Sequence, residues 1–194
     1  MSRTVNEKRP AELCDAIVQY LIAHRLADLS LRPLAKAVGS SPRLLLYYFG
    51  SKEKMVIEVL AAVRRRQRAS YDRVAAASFA EACRAIWKQM RAPDSVPLFR
   101  LFFEAYSMAL GQPQLYKDFL DDTIEDWLRL IADPLCREGY TRKEARAFAT
   151  VVLAGLRGFM LDYCATHDRK RLDHAVGLWL GSLDSMLPAR KEDR

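Results

Sequence analysis

The sequence SLRPLAKAVGSSPRLLLYYFGSK, residues 30–52, has the spacing of two short helices joined by a tight turn. Ser30 can cap a helix that begins at Leu31, and Pro33 is tolerated in its first turn, where no intrahelical donor is needed. Gly39 stands where a helix ends by entering the left-handed conformation that side chains oppose. The apolar residues between these signals recur at helical spacing: Leu31, Leu34, Ala35 and Val38.

A second helix is predicted directly after the turn. Ser40 or Ser41 can cap it, and Pro42 fits its first turn. Leu45 and Phe49 lie one turn apart on a common face, which predicts that this face packs against the first helix. The side chains predicted on the other side are those of Ser41, Arg43, Leu44, Tyr47 and Tyr48.

Two interpretations fit this hairpin. A helix-turn-helix places the N-terminal part of its second helix in the DNA major groove, while the first helix and the flanks hold phosphates. A plain helical hairpin with a solvated outer face has the same spacing. The spacing alone does not decide between them.

The charge distribution favours DNA. The 194-residue chain has a net charge of +7, and residues 1–75 hold 14 Lys and Arg against 7 Asp and Glu. Residues 76–194 hold 17 of each, so the whole excess lies with the hairpin and its neighbours. Phosphate contacts by such a basic segment supply most non-specific DNA affinity. The polar N-terminus, with Arg3, Lys8 and Arg9, is either a DNA-contacting arm or a solvated end.

The same residues resemble the TetR family of bacterial transcriptional regulators. Ala35, Gly39, Tyr47, Phe49, Lys52 and Glu53 fall in register with the family pattern, and the resemblance covers roughly residues 10 to 60. The matching segments are LCDAIVQYLIAHRL, LRPLAKAVG, SSPRLLLYYF and GSKEKMVIEVL. Arg43 and Leu46 depart from the residues common at those points, which bears on base preference more than on the fold.

The resemblance implies an all-α protein of about nine helices. An N-terminal three-helix domain with the helix-turn-helix, residues 1–52, would precede a helical ligand-binding and dimerisation domain, residues 53–194. Its partners would be a double-stranded DNA operator, a second copy of the chain and a small-molecule effector. The predicted DNA-binding residues are Ser30, Arg32, Ser41, Pro42, Arg43, Leu44, Tyr47, Tyr48 and Lys52.

Individual roles within that set differ. Arg43 is expected at a base edge, with guanine the preferred partner, although a phosphate contact fits equally well. Leu44 contacts either a thymine methyl or the protein core. The tyrosines, Ser30, Arg32 and Lys52 are expected at phosphates. Farther along the fourth helix, the basic run that starts at Arg64 is better explained by a solvated or acid-paired face.

Aromatic stripes in the second domain are either core or the wall of a pocket for an apolar, planar effector. Arg157 and Tyr163 are candidate polar anchors for it. The full set predicted to bind the effector is Trp87, Phe99, Phe102, Phe103, Tyr106, Trp127, Arg157 and Tyr163.

Two C-terminal helices carry the predicted dimer interface. Thr141 and Glu144 form a capping box that starts the first of them, and the linker THDRKR separates it from the second. Gly177 and Gly181 in the second allow close approach. In the family these helices pair as a four-helix bundle, whereas an ordinary intrachain core is the alternative. The predicted interface residues are Leu156, Phe159, Val176, Trp179, Leu180 and Leu183.

Other classes of protein are disfavoured. No nucleotide-binding or nucleophile motif is present, so an enzyme and a cofactor are not expected. The four cysteines are far apart and lack metal-ligand spacing, which predicts reduced thiols and no metal site. Apolar runs are interrupted by charges, so we expect no signal peptide and no membrane span, and a cytoplasmic protein.

The leading hypothesis is therefore a ligand-responsive repressor that binds a roughly palindromic operator as a homodimer. A second hypothesis keeps DNA binding but gives the C-terminal domain only dimerisation or protein contact. A third, a helical enzyme or scaffold unrelated to DNA, predicts no salt-dependent DNA affinity.

Overall fold

The structure is a computed structural model that describes residues 10–71 and 79–186, and these ranges contain helices and no strand. The all-α prediction is thus confirmed, with nine α-helices in the described part of the chain. A short 3-10 helix, Leu26–Asp28, lies between the first two. The helices are α1 Pro10–Ala23, α2 Leu31–Ala37, α3 Pro42–Phe49, α4 Lys52–Tyr71, α5 Phe79–Met90, α6 Val96–Gly111, α7 Lys117–Arg137, α8 Arg142–Thr166 and α9 Arg169–Met186.

Local signals set several helix ends as predicted. At the end of α2, Gly39 has φ +67°, and the Ser40 N–H donates to the Ala35 carbonyl at 2.8 Å. Gly139 ends α7 in the same way, with φ +96°. Both are Schellman endings, in which a left-handed residue lets the chain satisfy carbonyls of the last turn. The Thr141–Glu144 capping box at the start of α8 is also present.

Two local expectations are corrected, and a third lies outside the described residues. The segment THDRKR is not a linker, because α8 continues to Thr166 and α9 begins at Arg169. The turn between them needs only two residues, of which His167 adopts the left-handed conformation, φ 54°. Ser30 precedes α2 in extended geometry, yet its side chain makes no capping hydrogen bond. The Arg3, Lys8 and Arg9 arm lies outside the described residues.

Buried side chains form two clusters that share α6. The first joins α1 to α4 with Leu101, Ala105 and Ala109 of α6. The second joins α5, α7, α8 and α9 with Phe99 of the same helix. Hydrophobic packing therefore continues across the 52/53 boundary, and α6 holds the N-terminal helices against the remainder of the chain.

Polar contacts reinforce the connection between the two clusters. The Leu26 N–H donates to a carboxylate oxygen of Glu104 in α6 at 2.8 Å. Arg64 of α4 pairs with Asp122 at 3.4 Å and Asp126 at 3.2 Å, both on α7. Arg64 is thus paired with acidic side chains, as the sequence favoured. These ion pairs connect α4 to α7.

Candidate nucleic-acid interface and effector cavity

Helix α3 is fixed at both ends and along one face. The Leu44 N–H donates to Ser41 Oγ at 3.2 Å, and Pro42 occupies the first turn. Leu45 is fully buried and Phe49 nearly so. Since these anchors lie on one side, the orientation of the helix leaves the opposite side to solvent.

The outward face of α3 carries Arg43, Leu46 and Tyr47, at the i, i+3 and i+4 positions of one helical stripe. Arg43 is exposed, Tyr47 is 80% exposed and Leu46 is 40% exposed. Leu44 and Tyr48 are half-buried at the flanks of this stripe. The sequence prediction missed Leu46, although its spacing from Arg43 would have identified it.

The predicted phosphate contacts surround this stripe. Ser30 and Arg32 are exposed at the start of α2, and the Ser30 hydroxyl is not used as a cap. At the start of α4, the Lys54 N–H donates to Ser51 Oγ at 3.1 Å, as expected of a cap. Lys52 beside it is half-buried, whereas Lys54 is exposed. A helix N-terminus with these lysines suits a phosphate.

A small cavity lies between α4, α5, α6, α7 and α8, with about 30 Å³ of room for the centre of a water-sized molecule inside about 620 Å³ of space that includes open solvent. Its wall is mostly apolar. Of the residues predicted to bind an effector, it brings together Phe99, Phe102, Trp127 and Arg157. The residues that the sequence prediction did not assign to a pocket are Leu60, Val63, Arg64, Met90, Leu98, Phe119, Thr123, Leu153 and Leu156.

Four predicted effector-binding residues lie outside the cavity wall. Trp87 is buried, and its indole N–H donates to Asp173 at 2.8 Å, so it ties α5 to α9. Tyr163 packs edge-on against Trp87. Phe103 lines a separate, open groove beside the 3-10 helix. Tyr106 reaches the cavity only indirectly, through its ring contact with Arg157. These four residues are thus not part of the cavity wall, a distinction between core and pocket that the sequence pattern could not make.

Arg157 and Arg64 both line the cavity, in different electrostatic settings. Arg64 is paired with the two carboxylates of α7. The Arg157 guanidinium instead lies over the rings of Tyr106 and Phe102, 5.4 and 5.7 Å from the ring centroids. Burial lowers the pKa of Arg157, although a hydrogen bond with Tyr106 opposes that shift. The guanidinium stays protonated at neutral pH.

Most of the predicted dimer residues lie inside the chain. Leu156, Val176, Leu180 and Leu183 are each at most 3% exposed within one protomer. Phe159 and Trp179 are half-buried and pack on each other with ring centroids 5.3 Å apart. Most residues of the predicted set therefore belong to the intrachain core. Helices α8 and α9 each have two apolar faces, and these residues lie on the face that is turned toward the rest of the protomer.

The outer faces of α8 and α9 are also apolar. Leu161 and Leu178 are 53% and 66% exposed. Around them lie small or apolar exposed residues, namely Ala147, Val151, Ala154, Gly158, Gly177 and Gly181. A Cβ added at any of the three glycines would meet no atom within 4 Å. Nothing among the described residues therefore requires glycine there, although glycine disfavours a helix by about 1 kcal/mol relative to alanine.

By length and composition alone, α8 could also cross a membrane. Its inner face is nevertheless buried against neighbouring helices, as in the core helix of a folded domain. Within the described ranges, no group of three or more His, Cys, Asp or Glu side chains is placed to hold a metal ion.

The chain is similar to known proteins in part of its sequence and in its fold. Residues 13–59 match the family model described as bacterial regulatory proteins, tetR family. A search of curated proteins gave no significant match. Among solved structures, a transcriptional regulator from Rhodococcus sp. Rha1 superimposes with TM-score 0.79 at 19% identity, covering 92% of this chain and 97% of that one.

Two further solved structures have a similar fold. A putative TetR-family transcriptional regulator from Rhodococcus sp. has TM-score 0.74 and 19% identity, covering 92% of this chain and all of that one. A putative transcriptional regulator from Pseudomonas aeruginosa PAO1 has TM-score 0.74 and 18% identity, covering 94% and 95%. At such identities the solved structures indicate the fold alone. The family match concerns residues 13–59, which include the hairpin.

Proposed function

We propose that this chain, a TetR-family transcriptional regulator, is a homodimeric repressor that leaves a roughly palindromic operator when a small apolar effector enters the cavity. The observation that carries the proposal is the course of α4. Its first turn follows directly on α3, the helix proposed to read DNA, and Leu60, Val63 and Arg64 farther along line the cavity. One helix thus belongs to both sites.

In this proposal α3 enters the major groove. Arg43 reads a base edge, with guanine preferred, and Leu46 and Tyr47 lie beside it against bases or sugars. Ser30, Arg32, Tyr48 and Lys52 hold phosphates, as do the amides at the start of α4. Ser41 and Pro42 set the helix start, and Leu44 shares its surface between the core and the groove.

The effector acts through α4. Arg64 lies about 18 Å from Lys52 along the helix, at about 1.5 Å per residue. An effector that widens the cavity separates α4 from α7 and strains the Arg64 pairs with Asp122 and Asp126. The first turn of α4 then shifts with respect to the DNA. Release follows only if the effector binds the shifted conformation more tightly than the DNA-bound one.

The dimer forms through the outer faces of α8 and α9, so that each glycine opening admits a neighbouring helix of the second copy. Such a four-helix arrangement is an isologous interface, with the same patch on both protomers. It also removes Leu161 and Leu178 from water. A cytoplasmic location without a cofactor fits this proposal, and residues 1–52 and 53–194 remain its proposed division into a DNA-binding and a regulatory part.

The DNA-binding half is tested by the salt dependence of affinity for a selected operator and for unrelated DNA. Lys52→Ala should weaken both alike and reduce the slope of log K against log salt by about 1. Arg43→Ala should lower operator affinity more than unrelated affinity. Lys170→Ala, an exposed change on α9, is the matched charge control. Equal loss on every sequence for Arg43→Ala would refute its role in reading bases.

In the alternative, the C-terminal part only dimerises or binds a protein. The small size of the cavity favours this alternative, because it leaves little room for a ligand. The two are separated by thermal shift in the presence of apolar small molecules. A cavity ligand raises the melting temperature as its concentration increases. Leu153 lines the cavity, and the larger side chain of Leu153→Phe would occupy part of it. This variant should abolish the rise in melting temperature if the ligand binds there.

A further inference from the structure

Arg157 differs from the other partly buried arginines of the described helices. Arg64 faces Asp122 and Asp126, and Arg91 faces Asp173 at 2.9 Å. Arg157 has a weaker set of partners: two aromatic rings, the Tyr106 hydroxyl, and the Thr123 carbonyl at 3.5 Å. Across residues 10–71 and 79–186, no carboxylate pairs with it. The cavity therefore has one guanidinium matched by acids and one without a counter-charge.

A buried cation is stable when it is paired with an anion and hydrogen-bonded. The ring faces attract Arg157, but each such contact is weak compared with a bidentate carboxylate or phosphate contact. The fork of N–H donors on a guanidinium matches the oxygens of an anionic group. The apolar part of the cavity wall, with Phe99, Phe102 and Trp127, lies beside it.

We propose that the effector is an apolar molecule with one anionic group, whose oxygens bind Arg157 while its apolar part lies against Phe99, Phe102 and Trp127. This inference rests on the proposed effector cavity and specifies the chemical class that it accepts. Carboxylate, sulfonate and phosphate groups share the required chemistry. Neutral hydrocarbons of the same size bind less tightly.

A purely structural role for Arg157 is the competing explanation. In that case the guanidinium only joins α8 to Tyr106 of α6 and to Thr123 of α7. Its replacement would then lower stability without changing the preference between an anionic and a neutral ligand. The two explanations are distinguished by that preference.

The test uses two fluorescent probes of closely matched shape, 8-anilinonaphthalene-1-sulfonate and neutral N-phenyl-1-naphthylamine. Each is titrated into the purified full-length protein. Binding is read from the enhancement of probe emission, and binding that Leu153→Phe abolishes identifies probe in the cavity, since Leu153 is part of its wall. The protein should bind the sulfonate about tenfold or more tightly than the neutral probe, as a charge-assisted hydrogen bond predicts.

The variant Arg157→Met keeps the unbranched aliphatic part of the side chain and removes the charged guanidinium. It should bring the affinity ratio of the two probes close to one while leaving binding of the neutral probe nearly unchanged. Arg157→Lys should restore part of the preference. Arg100→Met, an exposed change on α6, removes the same charge away from the cavity and should leave the ratio as it is.

The outcomes separate the inference from the function on which it rests. If both probes enter the cavity with equal affinity, or if Arg157→Met leaves the preference intact, the anionic class is overturned and the effector cavity stands. If neither probe shows binding that Leu153→Phe abolishes, both the inference and the effector part of the proposed function fail. Binding of the neutral probe by Arg157→Met shows that the variant is folded.

Discussion

The contact between α8 and α9 gives the sharpest prediction about the fold. A Cβ built on Gly155 would lie 2.3 Å from one carbon of the Trp179 ring and 2.8 Å from two others. Ordinary carbon contacts are about 3.5–4.0 Å, so Gly155→Ala requires the ring to move by more than about 1 Å. Phe159 packs edge-on against that ring, at 5.3 Å between centroids, and restricts its movement.

Two effects of Gly155→Ala oppose each other. Overpacking of this kind costs about 1–3 kcal/mol, whereas alanine favours the helix by about 1 kcal/mol. Gly111→Ala, at the end of α6, is the matched control because an added Cβ there meets nothing within 4 Å. The free energy of unfolding should therefore be about 1–3 kcal/mol lower for Gly155→Ala than for Gly111→Ala. For a chain of this size, each 1 kcal/mol corresponds to about 2–4 °C in melting temperature.

The assay is thermal and urea unfolding of both variants at one protomer concentration, since the proposed dimer would make the apparent stability concentration-dependent. Trp179→Leu removes the ring that the new methyl group would meet. In that background Gly155→Ala should lose its penalty and resemble Gly111→Ala. Equal effects of the two alanine variants in the unmodified chain would refute the close packing of α8 on α9.

Three further predictions concern assembly, the DNA-facing hairpin and pH. Leu178→Glu should convert the proposed dimer to monomer in sedimentation without lowering helix content, because Leu178 is 66% exposed in the protomer. Leu45→Ala should destabilise the hairpin by about 2–5 kcal/mol, whereas Leu46→Ala on the exposed face should change stability by less than about 0.5 kcal/mol in urea unfolding. A hydrogen bond from Arg171 lowers the pKa of Asp162, so this pair's contribution to stability is present above the ordinary aspartate pKa and is lost as pH falls through the lowered one. Asp162→Asn should therefore flatten the acid side of the melting-temperature profile.

Local signals explain how much of the fold could be predicted from the sequence. Gly39 and the Thr141–Glu144 box specify helix ends through their own backbone and side-chain chemistry, which needs no knowledge of the rest of the chain. The second helix of the hairpin, α3, followed from the one-turn spacing of Leu45 and Phe49. These features depend on neighbours in sequence, and the structure contains them as predicted.

Features that depend on distant neighbours were less predictable. Val176 and Leu178 are both apolar residues of α9, and only the packing of α5 and α8 against one side buries the first and exposes the second. Phe102 and Phe103 likewise differ in sequence by one position, yet one lines the cavity and the other an outer groove. Arg157 and Arg64 differ in whether a carboxylate lies nearby. The sequence could not show this difference, because it depends on the packing of α7, whose Asp122 and Asp126 lie beside Arg64.

The central claim is that two copies of α3 read DNA together, and selection of bound duplexes from a random-sequence pool by the purified protein tests it most directly. The selected duplexes should contain an inverted repeat whose half-sites are separated by one helical turn of DNA or a multiple of it, about 34 to 36 Å per turn. Failure to enrich any sequence, or enrichment of a single asymmetric site bound by one protomer, would contradict it.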